Sequence, residues 1–165
     1  MINTELNYGD VYLVPKKTIV DSRKECDTSV QFGPRRFAMP LYAANMKSVV
    51  DAETCEYFAR RNWFYTMHRF DVDAVAFVRD MQAKGLFASI SVGVNGDTLQ
   101  QLAALKAAGL SPEYITLDVA NGWCVKAEQM IRFIKHEFPD SFLIGGNIAT
   151  AEAARELQDW GCDAI

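Results

Sequence analysis

Hydrophobic positions along the chain fall into two alternating kinds of segment. The first kind is a short unbroken apolar run: Leu41-Tyr42-Ala43-Ala44 (led in by Pro40), Trp63–Met67, Phe87–Val92, Tyr114–Val119 and Phe142–Ile144, with Cys162–Ile165 opening another. Unbroken runs, rather than alternating ones, are expected of strands covered on both faces. In the second kind, apolar residues recur at helical spacing between polar caps and glycine stops. Asp51 precedes the stripe Ala52, Cys55, Phe58, Ala59, and Asp73 precedes Val75, Val78 and Met81, which Gly85 ends. Asp97 and Gln100 predict a capping box at the head of a Leu99, Leu102, Leu105 stripe that stops at Gly109. Ala127, Met130, Ile131 and Ile134 run up to Pro139, and Thr150 caps a last helix through Leu157 to Gly161. All these stripes read as core packing.

The strand centres lie near residues 42, 65, 90, 117, 144 and 164, so successive separations are 23, 25, 27, 27 and 20. A steady βα period of this kind predicts a parallel sheet joined by right-handed crossovers. An open doubly wound sheet is one solution. A (β/α)8 TIM barrel is favoured, because no G-x-G-x-x-G follows the first run and the period barely varies. Eight such units need about 250 residues. The expectation is therefore an α/β chain holding an incomplete barrel, about five βα units and the start of a sixth strand. Residues 1–39 are expected to form an N-terminal extension or flap: an extended piece Val11–Pro15, a polar loop Lys16–Thr28 and a short strand pair around Gly33-Pro34. Residues 40–165 would be the barrel portion.

Composition narrows the partners. Half of the 165 residues are hydrophobic and 23% charged, enough for a packed core. With 17 Lys plus Arg against 21 Asp plus Glu the net charge is -4, which argues against a basic nucleic-acid footprint. No apolar run reaches a membrane span, and Met1–Glu5 does not read as a signal peptide, so a cytoplasmic protein is expected. Cys26, Cys55, Cys124 and Cys162 are far apart, with no C-x-x-C, and neither His68 nor His136 completes a zinc spacing. They read as reduced thiols, with Cys55 and Cys162 as core filler. No metal site is expected from them.

In a parallel barrel the chemistry gathers at the C-terminal strand ends. Those ends here are Asn45-Met46-Lys47, His68-Arg69, Gly93-Val94-Asn95-Gly96, Asp118-Val119-Ala120-Asn121-Gly122 and Gly145-Gly146-Asn147. Asp118, the only acid at a strand end, could accept from ribose hydroxyls or could simply cap the next helix. Arg69 could meet a phosphate bidentately. His68 has a structural reading as well as a functional one, and Gly145-Gly146 could be a tight bend.

Five ordered strings carry a resemblance: Ala43-Ala44-Asn45-Met46, Met67-His68-Arg69-Phe70, Ser89-Ile90-Ser91-Val92-Gly93-Val94, Leu117-Asp118-Val119-Ala120-Asn121-Gly122 and Gly145-Gly146-Asn147-Ile148. With Leu6-Asn7-Tyr8-Gly9-Asp10-Val11 ahead of them, the chain resembles the GMP reductase branch of the IMP dehydrogenase/GMP reductase family from about residue 6 to its last residue. Only Phe70–Phe87 separates the second and third strands, too short for the paired CBS modules that IMP dehydrogenases usually insert there. The Met67–Phe70 string resembles the bacterial reductase subgroup.

The resemblance implies NADPH-dependent reductive deamination of GMP to IMP and ammonia, a step of purine salvage. A cysteine adds to C2 of the purine, ammonia leaves, and hydride from the nicotinamide resolves the covalent adduct. Carried over by motif, Ser22, Arg23, Arg69, Asp118, Val119 and Ala120 would touch NADP, while Asn45, Met46 and Asn147 would line the GMP/IMP pocket. Some relatives have Lys in place of Arg69. None of the four cysteines matches the family's nucleophile, which is expected beyond Ile165 together with the acid/base groups and the monovalent-cation site. The 165-residue chain alone is thus expected to be inactive, and a homotetramer is expected by analogy. The alternatives are an IMP dehydrogenase-like oxidoreductase without CBS modules and a non-catalytic nucleotide-binding or assembly half-barrel.

Overall fold

The computed structural model describes residues 6–165; the Met1–Glu5 segment read above as no signal peptide lies outside them. Two 3-10 turns, Tyr8–Asp10 and Arg23–Glu25, precede an antiparallel hairpin of β1 (Val30–Phe32) and β2 (Arg35–Phe37). The βα succession follows: β3 (Tyr42–Ala43), α1 (Ala52–Arg60), β4 (Phe64–Tyr65), α2 (Ala74–Ala83), β5 (Ser89–Val92), α3 (Gly96–Ala107), β6 (Tyr114–Asp118), α4 (Val125–Glu137), β7 (Phe142–Gly146) and α5 (Ala151–Trp160). The chain is an α/β fold. β3 pairs with β4, and β5, β6 and β7 pair in that order, all parallel. Single parallel bridges, Met67 to Ile90 and Ile144 to Ala164, continue the order on either side. Strand order never reverses among these pairs, unlike a doubly wound sheet, which changes direction at its switch point. The sixth run is represented by the Ala164 bridge. The expected extended piece Val11–Pro15 has no strand partner among the described residues, and Leu13 is 99% exposed.

The helix ends follow their side chains. Asp51 accepts from Thr54 N–H at 2.8 Å, Asp73 from Ala76 at 3.0 Å and Thr150 from Ala153 at 3.1 Å, each satisfying a first-turn donor. The α3 expectation needs correction. The helix begins at Gly96, Asp97 bonds only the next N–H, that of Thr98, at 2.9 Å, and Leu99 is 43% exposed. Thr98, Leu102 and Leu105 form the buried stripe instead. The cause is the Thr98 hydroxyl, which accepts from Gly93 N–H at 3.2 Å and so turns Thr98 inward and Leu99 outward.

Side chains alternate between two environments along the strands. On one face Thr66 Oγ1 lies 2.8 Å from the Tyr42 hydroxyl, 3.2 Å from Ser89 Oγ and 3.3 Å from Thr116 Oγ1. On the other, Ile90, Val92, Ile115, Leu117 and Leu143 are buried with the helix stripes Ala127, Met130, Ile131 and Ile134. Gly145 belongs to this second face: a Cβ there would lie 2.6 Å from Cys162 Sγ and 3.0 Å from Leu157. Cys55 and Cys162 are buried free thiols, as their stripes predict, and burial pushes both up to about 12.

The hairpin seals the N-terminal strand ends with aromatic rings. Phe32 packs edge-on to Phe64 at 5.0 Å and to Phe142 at 5.2 Å, and Phe37 meets Phe87 at 5.4 Å. Tyr114 OH donates to Phe32 O at 2.7 Å, and Arg35 grips Glu113 through two hydrogen bonds of 2.5 and 2.8 Å. The rings Phe64, Phe87, Tyr114 and Phe142 each stand at or just before the start of a strand. That leaves the opposite, C-terminal end uncovered by the hairpin.

Two outcomes test this packing. Gly33 turns the hairpin at φ 59°, and a Cβ there would meet the Phe142 ring at 2.5 Å. Gly33→Ala is therefore expected to lower the free energy of urea unfolding by about 1–3 kcal/mol, as overpacking does; an unchanged midpoint contradicts the plug. For the thiols, the folded chain retains protons at Cys55 and Cys162 that an unfolded chain releases above about pH 8.5. Their contribution to stability is complete below that pH and fades as pH climbs toward the folded value of about 12. At pH 8, iodoacetamide is expected to label exposed Cys26 in the native chain, and Cys55 and Cys162 only after denaturation, as read by mass spectrometry.

Candidate functional site

Three residues from distant parts of the sequence meet at the open end. Asn45 lies just after β3, Asp118 is the last residue of β6, and Asn147 follows β7. Asn45 Nδ2 donates to Asp118 Oδ2 at 2.8 Å, and Asn147 Nδ2 donates to Asp118 Oδ1 at 3.1 Å. The carboxylate is therefore held by two neutral amides and pairs with no Lys, Arg or His among the described residues. Asp118 does not cap α4, whose N-cap is Cys124 with no side-chain cap bond. The helix-cap reading of Asp118 is thus set aside by position.

These three residues, with Tyr42, Thr116 and Gly146, line a cleft of about 660 Å³ over the hydroxyl-bearing face. Each amide uses its Nδ2 on the carboxylate, so its oxygen remains an acceptor, and an ionised carboxylate accepts only. The constellation is built to receive donors such as hydroxyls, ring N–H or amide N–H. Its negative charge disfavours a phosphate at the same spot.

The β6 and β7 ends are laced together by backbone. Val119 N–H donates to Gly146 O at 3.1 Å, Asn147 N–H to Val119 O at 2.7 Å, and Gly122 N–H to Asn147 O at 2.7 Å. Asn147 Nδ2 also reaches Val119 O at 3.0 Å. Gly122 leaves no room for a side chain between the two loops: a Cβ there would lie 2.9 Å from the Gly146 carbonyl carbon. In the sequence Gly122 stands only as the last residue of the Leu117–Gly122 string, with no role of its own.

The remaining candidates stand apart from Asp118. Arg69 lies 4.5 Å above the Phe70 ring, with its Nε buried and without a partner, and lines a separate groove of about 310 Å³ with Asp73, Asp97, Thr98 and Gln101. His68 is 6% exposed and its Nδ1 accepts from Phe70 N–H at 3.3 Å, which fits the structural reading. Ser22 caps the Arg23–Glu25 turn, accepting from Lys24 N–H at 3.3 Å; Ser22 and Arg23 are exposed and make no hydrogen bond to the cluster. Met46 is 55% exposed and does not line the cleft. Val119 gives its carbonyl to Asn147, and Ala120 is exposed beside it. None of the four cysteines lines the cleft. Among the described residues no group of three His, Cys, Asp or Glu could hold a metal ion, and no helix is long and apolar enough to cross a membrane.

Comparison with known proteins gives the family. A protein named GMP reductase from Chromobacterium violaceum is 80% identical over 165 residues, covering 100% of this chain and 52% of that protein. GMP reductases from Staphylococcus carnosus (50% identical over 159 residues) and an Acidovorax species (48% over 158) each match 96% of this chain and 49% of their own length. The chain spans about half the length of the curated relatives it matches. The family model described as "IMP dehydrogenase / GMP reductase domain" matches residues 5–165, and the chain belongs to that family.

Proposed function

We propose that this chain carries the cofactor-facing part of a GMP reductase, which reductively deaminates GMP to IMP and ammonia with NADPH. One observation carries the reading: a carboxylate clamped by two amides at the C-terminal strand ends, in a chain 80% identical throughout to a protein of that name. The same reading takes the parallel succession from β3 to Ala164 as an arc of a (β/α)8 barrel, with residues 1–39 as an N-terminal extension whose β1–β2 hairpin packs on the strand starts. A cytoplasmic homotetramer completes the proposal.

The residues suit the cofactor in type. NADPH, when bound, supplies a hydride to the purine. Asp118 would accept from its ribose hydroxyls or carboxamide, with the Val119 and Ala120 backbone alongside. Arg69, whose buried Nε lacks a partner, would offer its guanidinium to a phosphate from the neighbouring groove. Ser22 and Arg23, both exposed, are free to close on a ligand from outside. Asn45 and Asn147 would use their amide oxygens toward the GMP or IMP base, and Met46 would flank it. The covalent step is not assigned to any of the four cysteines. Cys55 and Cys162 are buried with thiols pushed up to about 12, far from the thiolate form a nucleophile needs.

The test is a chimera joining residues 1–165 to the remaining half of the Chromobacterium violaceum relative. It is expected to oxidise NADPH only when GMP is present, while the 165-residue chain alone does not. Turnover by the chain alone contradicts the placement of the nucleophile, and oxidation of IMP with NAD instead would establish a dehydrogenase. In the chimera, Asp118→Ala is expected to weaken NADPH binding about 10- to 100-fold, the worth of hydrogen bonds to a charged acceptor. Its thermal midpoint should stay close to the parent's. Lost stability with unchanged affinity would return Asp118 to a structural role.

A further inference from the structure

Asp118 and Asn147 stand where the β6 and β7 ends meet, and groups outside the cleft make further contacts across the same junction. Gly122 N–H bonds Asn147 O at 2.7 Å with no room for a side chain, since a Cβ would sit 2.9 Å from Gly146 C and 3.1 Å from the Gly146 and Asn147 carbonyl oxygens. These are backbone atoms, so they yield only if one loop moves. The next residue extends the grip: Trp123 Nε1 donates to Glu156 Oε2 at 2.8 Å, tying the β6–α4 loop to α5, the helix that the Asn147 loop leads into. Trp123 is fixed at its other end by its own N–H, which donates to Asn121 Oδ1 at 3.1 Å. The indole is 37% exposed, so core burial alone does not explain its placement.

We propose that Gly122 and the Trp123–Glu156 pair form a latch that positions Asp118 and Asn147. They are positioning residues: none of the three lines the cleft. The latch works by distance. With it closed, Asn147 Nδ2 reaches both Asp118 Oδ1, at 3.1 Å, and Val119 O, at 3.0 Å; when the loops part, both contacts lengthen. The consequence for ligand binding rests on the function proposed above; the side-chain geometry does not.

The experiment separates the two. In the 15N–1H spectrum of the 165-residue chain, the Asn147 side-chain amide pair reports directly on its two acceptors. Gly122→Ala, Trp123→Phe and Glu156→Ala are expected to move that pair toward the position of a free amide, while Glu156→Gln, which keeps an acceptor for the indole, largely preserves it. Asp51→Ala, which removes the α1 cap, serves as a control for general loss of stability and should leave the pair in place. Unmoved signals in Gly122→Ala, or equal movement in Asp51→Ala, would overturn the latch. In the chimera, the Gly122→Ala and Glu156→Ala variants are expected to raise KM for NADPH about tenfold with kcat little changed, the pattern of lost uniform binding. Displaced Asn147 signals without a change in KM, when Asp118→Ala does raise it, would refute positioning for the ligand while leaving the cofactor assignment intact. If neither variant nor Asp118→Ala changes KM, the cofactor assignment fails and the spectrum still decides the latch.

Discussion

The register between β6 and β7 is the constraint on which the rest of the molecule turns. Tyr114 stands opposite Phe142 at one end and Asp118 opposite Gly146 at the other. Side chains alternate strictly along a strand, so a slip of one residue would exchange the two faces. The hydroxyl and acid positions would turn toward the helices, and the leucines and isoleucines toward the cleft. The observed register does two jobs together. It lines Tyr114 and Phe142 with the Phe32 ring of the hairpin, and it delivers Asp118 within reach of the amide of Asn147.

The result is a strand layer with chemically distinct ends. The start is closed by Phe32, Phe37, Phe64, Phe87, Tyr114 and Phe142, a packed aromatic cluster with an Arg35–Glu113 pair at its margin. The finish carries amides, a carboxylate and loops joined by backbone hydrogen bonds. Apolar burial supplies the cohesion at the first end, and polar groups are left uncovered at the second. Between them, the Tyr42, Thr66, Ser89 and Thr116 hydroxyls satisfy one another, so the interior face is polar without stranding a buried donor.

Much of this was legible because it is local. Caps at Asp51, Asp73 and Thr150 act three residues away, and glycine stops at Gly85, Gly109 and Gly161 all have positive φ. The hairpin was marked by Gly33-Pro34 and forms there. The α3 stripe was misread because the deciding bond, from Gly93 to the Thr98 hydroxyl, comes from outside the helix. The site was legible only as a list of residues. Asn45 and Asp118 stand at two strand ends 73 positions apart, and no spacing rule says that these two meet while Arg69, from a strand between them, turns into another groove. Gly122 was harder still, because its requirement is for space against a neighbouring loop rather than for a special φ.

In the function proposed above, the carboxylate between the two amides is a ligand contact and not a fastening of the fold. A crystal structure of the chimera with NADPH and GMP bound tests it most directly. A ribose hydroxyl or carboxamide N–H is expected within about 3 Å of an Asp118 carboxylate oxygen. A cofactor lying wholly elsewhere, with Asp118 contacting only Asn45 and Asn147, would contradict it.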